Sequence, residues 1–328
     1  MFRLTPPRFW YDQTRPDQRL LASVFSPLAG LWRAATKLRW HLATPYKPSV
    51  PVICIGNITG GGTGKTPTAI SLVQALQASK LSQRPFFLTR GFGGTLKGPL
   101  LVDATRYGFG DVGDEALLLA AFAPTIVAQD RVAGIQYATQ HGADCIIVDD
   151  GFQNPSFLKT ASIIVIDGAV GIGNGRCMPA GPCRETLRDA IARATAILLV
   201  GEDKTALRPQ LAALPVFAGH FKAAPANDDQ NYVAFAGIGR PEKFFQTLRD
   251  SGHNLVDTVA FPDHYAYTGS DIQRLQQLAA RQHAKLITTQ KDHVRLPPNT
   301  GVESLPVSLR IDGIPELMTL LRTRLAAA

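Results

Sequence analysis

The stretch that most constrains this chain is residues 56–66, which read Gly-Asn-Ile-Thr-Gly-Gly-Gly-Thr-Gly-Lys-Thr. It follows a short apolar run, residues 52–55, that is typical of a buried parallel strand, and it precedes residues 67–80, which carry one apolar helical face. This order of strand, glycine-rich turn and helix predicts a phosphate-binding loop, because glycine lets successive backbone amides curl around phosphate oxygens. The helix that follows points the positive end of its dipole at the anion. Strict spacing asks for glycine at position 59, where the chain has Thr59.

Two side chains of the loop have expected roles of their own. Lys65 carries a charge that can reach the β- and γ-phosphates, and Thr66 offers a hydroxyl to Mg²⁺. The alternative is a glycine-rich loop that binds no ligand. The expected nucleotide contacts are Thr59, Gly60, Gly61, Gly62, Thr63, Gly64, Lys65 and Thr66.

From residue 50 onward, strand-like and helix-like segments alternate, which predicts an α/β fold with a parallel sheet covered on both faces. A polar stretch with a proline, residues 223–230, suggests a boundary. We therefore expect an N-terminal membrane-associated segment over residues 1–48 and a P-loop NTPase-type core domain over residues 49–225. A smaller C-terminal α/β domain over residues 226–328 is expected to close over a cleft.

The N-terminal segment is basic and aromatic. It holds +6 of the formal net charge of +8, and all three tryptophans lie within the first 40 residues. Its apolar run, residues 20–32, is too short to span a bilayer, which needs about 20 residues. The pattern favours an amphipathic helix lying in the membrane interface. The alternative is a helix packed on the domain with its tryptophans in the core. The four cysteines show no metal-ligand spacing and no disulfide framework, which favours a reducing compartment.

Acidic residues mark a candidate metal site and a candidate general base. Residues 145–149 are four apolar residues followed by Asp149, the pattern of the strand that supports Mg²⁺ in phosphate-loop enzymes, although such an Asp can also cap a turn. Asp114 and Glu115 open a predicted helix, where acids are often caps. In the functional interpretation one of them accepts a proton from an attacking hydroxyl and the other lies near the metal. His264 follows a strand and could orient such a carboxylate.

Two arginine-containing loops and one short motif complete the candidates. Arg90 and Arg184 lie in glycine- and proline-rich stretches suited to anion binding, or in ordinary turns. Residues 289–292 come close to the element with which GTP-binding proteins read guanine, but Gln290 stands where that element has lysine.

Taken in order, these motifs resemble the tetraacyldisaccharide 4′-kinase family, the lipid A kinases of Gram-negative bacteria. In that family Thr59 is shared. Two positions differ: Asn154 stands where the family commonly has His, and Cys183 stands where Leu is usual. The resemblance rests on residues 7–11, 56–66, 90–93, 112–115, 149–153, 173–175, 179–182, 184–185, 263–264 and 291–292.

The resemblance implies transfer of the γ-phosphoryl group of ATP to the 4′-hydroxyl of tetraacyldisaccharide 1-phosphate, with ATP and Mg²⁺ as cofactors. It also implies an acylated glucosamine disaccharide as substrate. The enzyme is expected to be peripheral, at the cytoplasmic face of the bacterial inner membrane, as a monomer that binds no nucleic acid.

Residue roles follow from the same resemblance. Asp114 is expected to be the base, assisted by His264, with Lys65 on the phosphates. Thr66 and Asp149 would support the metal, with Glu115 as a second candidate. The substrate contacts are expected to be Arg184, Glu185, Gln153, Asn154, Asp150 and Arg90. Two alternatives stay open: a GTPase-like switch or metallochaperone, and a P-loop kinase with a soluble small-molecule acceptor.

Overall fold

The computed structural model describes residues 7–12, 14–226, 230–297 and 299–326. The chain forms two compact units. The first unit comprises residues 1–88, 131–220 and 311–328, and the second comprises residues 89–130 and 221–310. Arg3, which counts toward the basic segment, and residues 227–229 of the predicted boundary lie outside the described residues.

The regular elements alternate along the chain as the sequence predicts. The strands are β1 (Val52–Gly56), β2 (Pro85–Thr89), β3 (Leu100–Leu101), β4 (Thr125–Val127), β5 (Cys145–Asp149), β6 (Ala161–Asp167), β7 (Ala196–Val200), β8 (Val216–Ala223), β9 (Asn231–Ala236), β10 (Asn254–Ala260), β11 (Lys285–Thr289), β12 (Glu303–Leu305) and β13 (Val307–Ile311). The α-helices are α1 (Pro16–Val24), α2 (Ser26–Leu42), α3 (Lys65–Ala78), α4 (Phe109–Val112), α5 (Asp114–Ala120), α6 (Arg131–Gln140), α7 (Leu187–Ile191), α8 (Pro241–Asp250), α9 (Gly269–Arg281), α10 (Gln290–His293) and α11 (Ile314–Ala326).

The first unit is built on a parallel sheet. Six of its strands lie in the order β8-β7-β6-β1-β5-β2, and each neighbouring pair is parallel. Strands β1, β5 and β7 are buried along their whole length, which explains their continuous apolar runs. The register places Ile55 opposite Asp149, so the phosphate loop and the acid leave the sheet at the same edge.

Helices α3 and α11 pack on this sheet. α3 contacts β1 and β5, while α11 contacts α3 and β6. The buried face of α11 consists of Leu317, Met318 and Leu321. Because this apolar face needs a partner, the last helix belongs to the first unit, although the sequence placed it in the predicted domain 226–328.

The N-terminal helices α1 and α2 expose many large apolar side chains. Leu20, Val24, Leu31 and Leu42 are each more than 60% exposed. Trp10 and Trp32 donate their indole N–H groups to the carbonyls of Pro179 and Arg184, although Trp32 stays 47% exposed. The exposed apolar side chains are what a helix in the membrane interface would have. The tryptophan contacts are what a helix packed on the unit would have, so the structure shows a feature of each alternative. Among the described residues, no helix is both long enough and apolar enough to cross a bilayer.

The second unit has a parallel sheet of its own. Its strands lie in the order β10-β9-β11-β12, with α8 and α9 packed against them. Residues 89–130, predicted within the core domain 49–225, are part of this unit. They contribute β3, which pairs antiparallel with β4, and an apolar cluster built on Val112, Leu117 and Val127, against which Val294 packs. The predicted domain bounds thus do not coincide with the compact units, because packing joins segments that are distant in sequence.

Candidate functional site

The phosphate loop connects β1 to α3 in the first unit. Its backbone requires glycine at both ends: a Cβ at Gly56 would lie 2.3 Å from the Cβ of Phe152, and Gly64 has φ +92°. Helix α3 begins at Lys65, two residues before the predicted start, so Lys65 and Thr66 form its first turn. The helix N-terminus is therefore at the loop, where a phosphate would meet it.

The buried side chain of Asn57 holds the backbone of the loop in place. Its side-chain amide donates to the carbonyl oxygens of Thr59 and Gly61, at 2.7 and 3.3 Å. Its own carbonyl accepts from the side-chain amide of Gln153 at 2.8 Å. Asn57 is fully buried, and the sequence analysis predicts no role for it. The only signal in the sequence was its place in the loop motif.

The centre of the loop offers unused donors. Among the described residues, the backbone amides of residues 61–64 make no hydrogen bond, and the buried hydroxyl of Thr63 has no partner. Gly60 differs, because its amide donates to the Pro182 carbonyl at 2.9 Å and so fixes the loop. A run of free amides with an orphaned hydroxyl fits the oxygens of a polyphosphate.

Thr66 and Asp149 form the pair expected at a metal. The Thr66 hydroxyl donates to Oδ2 of Asp149 at 3.0 Å. Asp149 ends β5 and is buried. Hydroxyl and carboxylate oxygens are the ligands that Mg²⁺ takes beside a phosphate loop, so the donor set fits that ion.

Asp150 links the loop to Arg184. Its carboxylate lies 3.8 Å from the ammonium of Lys65 and accepts from the guanidinium of Arg184 at 3.0 Å. Asp150 also has φ +56°, a strained conformation for a non-glycine residue that is concentrated at functional sites. Burial tends to raise the pKa of Asp150, but Lys65 and Arg184 outweigh it and hold that pKa below its ordinary value.

Gln153 and Glu185 continue this network. Gln153 donates to Oε1 of Glu185 at 3.0 Å and accepts from Arg184 at 3.3 Å. Glu185 is buried and also pairs with Arg193, a residue without a predicted role. Asn154 lies outside the network, because its side-chain oxygen accepts from the backbone amide of Ser156.

Arg193 joins Glu185 to helix α2. Its guanidinium lies 4.1 Å from the ring centre of Trp40 and 4.9 Å from that of Phe152. Burial lowers its pKa to about 10, and Nη1 is buried with no hydrogen-bond partner among the described residues. Arginine on an aromatic face is a desolvated cation that retains donors for an anion.

A cavity of about 440 Å³ opens between α2 and α7, within the first unit. Five of its lining side chains are basic or can be protonated, and two are acidic. The residues are Arg33, Thr36, Lys37, Trp40, His41, Arg184, Glu185, Thr186, Asp189, Ala192 and Arg193. This lining suits a polar, anionic group of moderate size.

In the second unit, Asp114 begins α5 directly after Gly113. A Cβ at Gly113 would lie 2.4 Å from the Phe92 carbonyl oxygen, and Gly113 has φ +87°, so glycine is required there. Asp114 is only 3% exposed. Burial tends to raise its pKa, but His264, Lys291 and the guanidinium of Arg295 together hold it below the ordinary value. These groups therefore favour the ionised carboxylate and do not strengthen its affinity for a proton.

His264 lies beside this carboxylate. Its Nδ1 is 2.8 Å from Oδ2 of Asp114, and its φ is +58°. The ammonium of Lys291 is 3.2 Å from Nε2 and 2.9 Å from Oε1 of Glu115. Asp114, Glu115 and His264 could together hold a cation, and the Lys291 ammonium stands beside all three. Glu115 is thus paired with Lys291, and its predicted place beside a metal stays a prediction.

Asp292 has no freedom to read a guanine base. It is 0% exposed and accepts hydrogen bonds from Gly237, Tyr267 and Arg295 at 2.6–2.8 Å. Residues 289–292 therefore resemble a guanine-reading element only in sequence, because Asp292 forms a buried ion pair with Arg295. Arg90 is exposed in the second unit, and its predicted substrate contact stays a prediction.

Comparisons with known proteins identify a family. The family model described as LpxK, tetraacyldisaccharide-1-P 4'-kinase, matches residues 21–326. The tetraacyldisaccharide 4'-kinase of Parvibaculum lavamentivorans is 45% identical, over 95% of each chain. That of a Methylobacterium species is 46% identical, over 98% of this chain and 97% of the relative.

A solved structure gives the same result. The LpxK of Aquifex aeolicus, described as an "apo" form in complex with ATP, has a TM-score of 0.76 and 25% identity, covering 93% of this chain and 99% of that one. The α/β fold class predicted from the phosphate loop and the alternating elements is confirmed. With a family model that covers most of the chain and relatives of about 45% identity along nearly its whole length, this chain belongs to the tetraacyldisaccharide-1-P 4'-kinase family, LpxK.

Proposed function

We propose that this protein transfers the γ-phosphoryl group of ATP to the 4′-hydroxyl of tetraacyldisaccharide 1-phosphate, as the names of its relatives indicate. The observation that carries the proposal is the continuous network of the first unit. It runs from the Thr66–Asp149 pair and Lys65 through Asp150 to Arg184. A nucleotide loop and a polar substrate site are thereby joined in one set of side chains.

The loop would hold the triphosphate. Its free amides and the Thr63 hydroxyl face the phosphate oxygens, and Lys65 neutralises charge on the transferring group. Thr66 and Asp149 would hold Mg²⁺, which supplies charge stabilisation to the phosphates when bound. Phosphoryl transfer depends mainly on positioning and charge, which is what this chain's residues provide.

Asp114 would act as the general base. It accepts the proton of the 4′-hydroxyl while the new oxygen–phosphorus bond forms and the bond from the γ-phosphorus to the β,γ-bridging oxygen breaks, releasing ADP. Its lowered pKa means that it is ionised, and so able to accept a proton, throughout the neutral range. His264 orients the carboxylate through the contact of Nδ1 with Oδ2.

The disaccharide would bind through Arg184, Glu185 and Gln153. Arg184 and Glu185 also line the cavity between α2 and α7, whose basic side chains suit the phosphate that the substrate already carries. Asp150 holds Arg184 in place through an ion pair, and Arg193 does the same for Glu185. Asp150 and Arg193 would therefore support the two residues that contact the disaccharide. Arg90 and Asn154 remain further candidates for substrate contacts.

The exposed apolar side chains of α1 and α2 would enter the membrane interface. The substrate carries four acyl chains and stays in the bilayer, so an enzyme that acts on it gains from attachment to that surface. We propose attachment to the cytoplasmic face of the inner membrane, as a monomer that takes no nucleic acid.

The test is an assay with radiolabelled ATP and the acylated disaccharide in mixed micelles. Label should appear on the lipid, and Asp114→Asn should lower turnover by about 10²–10⁴-fold with ATP binding retained. Glu303→Gln, which changes a half-exposed acid in the same unit, is the matched control. If the protein labels only soluble acceptors, it is a small-molecule kinase and the lipid assignment is wrong. If Asp114→Asn turns over within a few-fold of wild type, Asp114 is not the base.

A further inference from the structure

The ammonium of Lys291 occupies a position that no catalytic role accounts for. It lies 2.9 Å from a Glu115 oxygen, 3.2 Å from Nε2 of His264 and 4.0 Å from Oδ2 of Asp114. Burial tends to lower the pKa of Lys291, but the charges of Glu115 and Asp114 outweigh it and raise that pKa. Lys291 is therefore an ammonium in the neutral range, and an ammonium can only donate hydrogen bonds.

This restricts the protonation of the imidazole. A nitrogen that accepts from an ammonium must present its lone pair, so Nε2 of His264 carries no hydrogen. The proton of the neutral ring is then on Nδ1, which lies 2.8 Å from Oδ2 of Asp114 and can donate to it. Without Lys291, the nearest charged neighbour of Nε2 would be the carboxylate of Asp263, at 3.6 Å. A carboxylate accepts hydrogen bonds and so favours a proton on Nε2, whereas the ammonium of Lys291 favours an Nε2 without one.

Lys291 itself is held in place by the second unit. Arg295, which is 1% exposed at its side chain, donates to the Lys291 carbonyl and to the carbonyls of Tyr265 and Gly237. The Gly237 carbonyl also accepts from the backbone amide of His264. One buried guanidinium thus ties the segment that carries Lys291 to the segment that carries His264, so their side chains meet in a fixed geometry.

We infer that Lys291 is a positioning residue that fixes His264 in the tautomer with its proton on Nδ1, so that the ring donates to the carboxylate of Asp114. The inference rests on the proposed function for its catalytic consequence, since Asp114 is the proposed base. A ring with its proton on Nε2 would direct a lone pair at the ionised carboxylate, and the two would repel each other. Lys291 thereby decides whether His264 orients the base or displaces it.

The experiment uses full-length protein with ¹⁵N-labelled histidine and reads the imidazole nitrogens of His264 by long-range proton–nitrogen correlation, with His264→Asn to assign the signals. Wild type should show a protonated Nδ1 and a bare Nε2. Lys291→Met should move the proton from Nδ1 to Nε2, and a ring protonated on both nitrogens would contradict the inference, because Nδ1 would still donate to Asp114. Its kcat should fall by about 10–100-fold, less than the loss of the base itself, with KM for ATP unchanged. Lys291→Arg, which also only donates, should keep the Nδ1 proton.

Lys285→Met is the matched control, because Lys285 is half-exposed in the same unit and its ammonium pairs with the carboxylate of Glu303 at 3.1 Å, away from His264 in the sequence. It should leave the spectrum and kcat unchanged. A protonated Nε2 in the wild type overturns the inference whether or not any variant folds, as does an unchanged tautomer in folded Lys291→Met. The lipid-kinase assay on wild type is run in parallel. If no label appears on the lipid, the proposed function is refuted. The tautomer of His264 is still tested, because the nitrogen spectrum reports it independently of activity.

Discussion

Replacing Asp292 by asparagine separates a structural role for residues 289–292 from a nucleotide-reading role. Asp292 is 0% exposed, and Arg295, its ion-pair partner at 2.6 Å, has a side chain that is 1% exposed. The carboxylate also accepts from the Gly237 amide, the Tyr267 hydroxyl and the Thr289 hydroxyl. Asparagine has the same shape and can keep part of this hydrogen bonding. The variant therefore mainly removes the negative charge.

The expected cost follows from the buried charge left behind. Removing one partner of a buried ion pair typically destabilises a protein by about 3–5 kcal/mol. Because Asp114 lies 3.5 Å from the Nε of Arg295, it compensates part of the remaining charge, and we expect the lower end of that range. A guanine-reading Asp would be exposed, and its replacement by Asn would change stability by less than about 0.5 kcal/mol.

Hydrogen exchange of peptides from residues 231–310 measures the free energy of opening of the second unit. Asp292→Asn should lower it by about 3 kcal/mol, while Glu303→Gln, the same acid-to-amide change at a half-exposed position in the same unit, should leave it within about 0.5 kcal/mol. A loss below about 1 kcal/mol for Asp292→Asn, together with an altered preference between ATP and GTP, would refute the reasoning.

Three further predictions concern the base, the substrate cavity and the apolar surface. The pKa of Asp114 is held below its ordinary 3.8 despite burial, so its ionised form stabilises the fold above that pH, and the contribution is lost as pH falls through the lowered value. Urea unfolding from pH 6 to pH 2 should therefore show a shallower acid loss for Asp114→Asn than for wild type. Arg193→Met should raise KM for the lipid by about 10–100-fold, because it removes a charged partner of Glu185, whereas exposed Arg188→Met should not. Replacing both Leu20 and Leu31, which are 66% and 68% exposed, by serine should weaken vesicle binding at least about tenfold without changing Tm.

Each of these predictions has an outcome that contradicts it. Parallel acid profiles for Asp114→Asn and wild type would mean that the carboxylate has the same pKa folded and unfolded. Equal KM effects of the two arginine variants would place the lipid away from the cavity. Unchanged vesicle binding of the double leucine variant would mean that α1 and α2 do not enter the membrane.

The phosphate loop and the sheet could be predicted from the sequence because local chemistry determines them. Glycines at fixed spacing, Lys65 and a helix start leave few alternatives for residues 56–66, and continuous apolar runs mark strands buried on both faces. Short elements such as β3 and α10 were not predicted, because two to four residues carry no periodic signal.

The partners within the site were decided by tertiary structure. The sequence identified Asp114, His264, Arg184 and Glu185 by type and position, but it gave no sign that Glu185 pairs with Arg193, since that choice depends on how α7 packs.

The same is true in the second unit. Lys291 follows strand β11, Glu115 follows the Asp114 that begins α5, and nothing local to either residue indicates that they form an ion pair. The sequence by itself determined which chemistry is present, because side-chain type and backbone freedom are local properties. Only the tertiary structure decided which charges neutralise one another and which nitrogen of His264 faces Asp114, because those depend on distances between segments far apart in the chain.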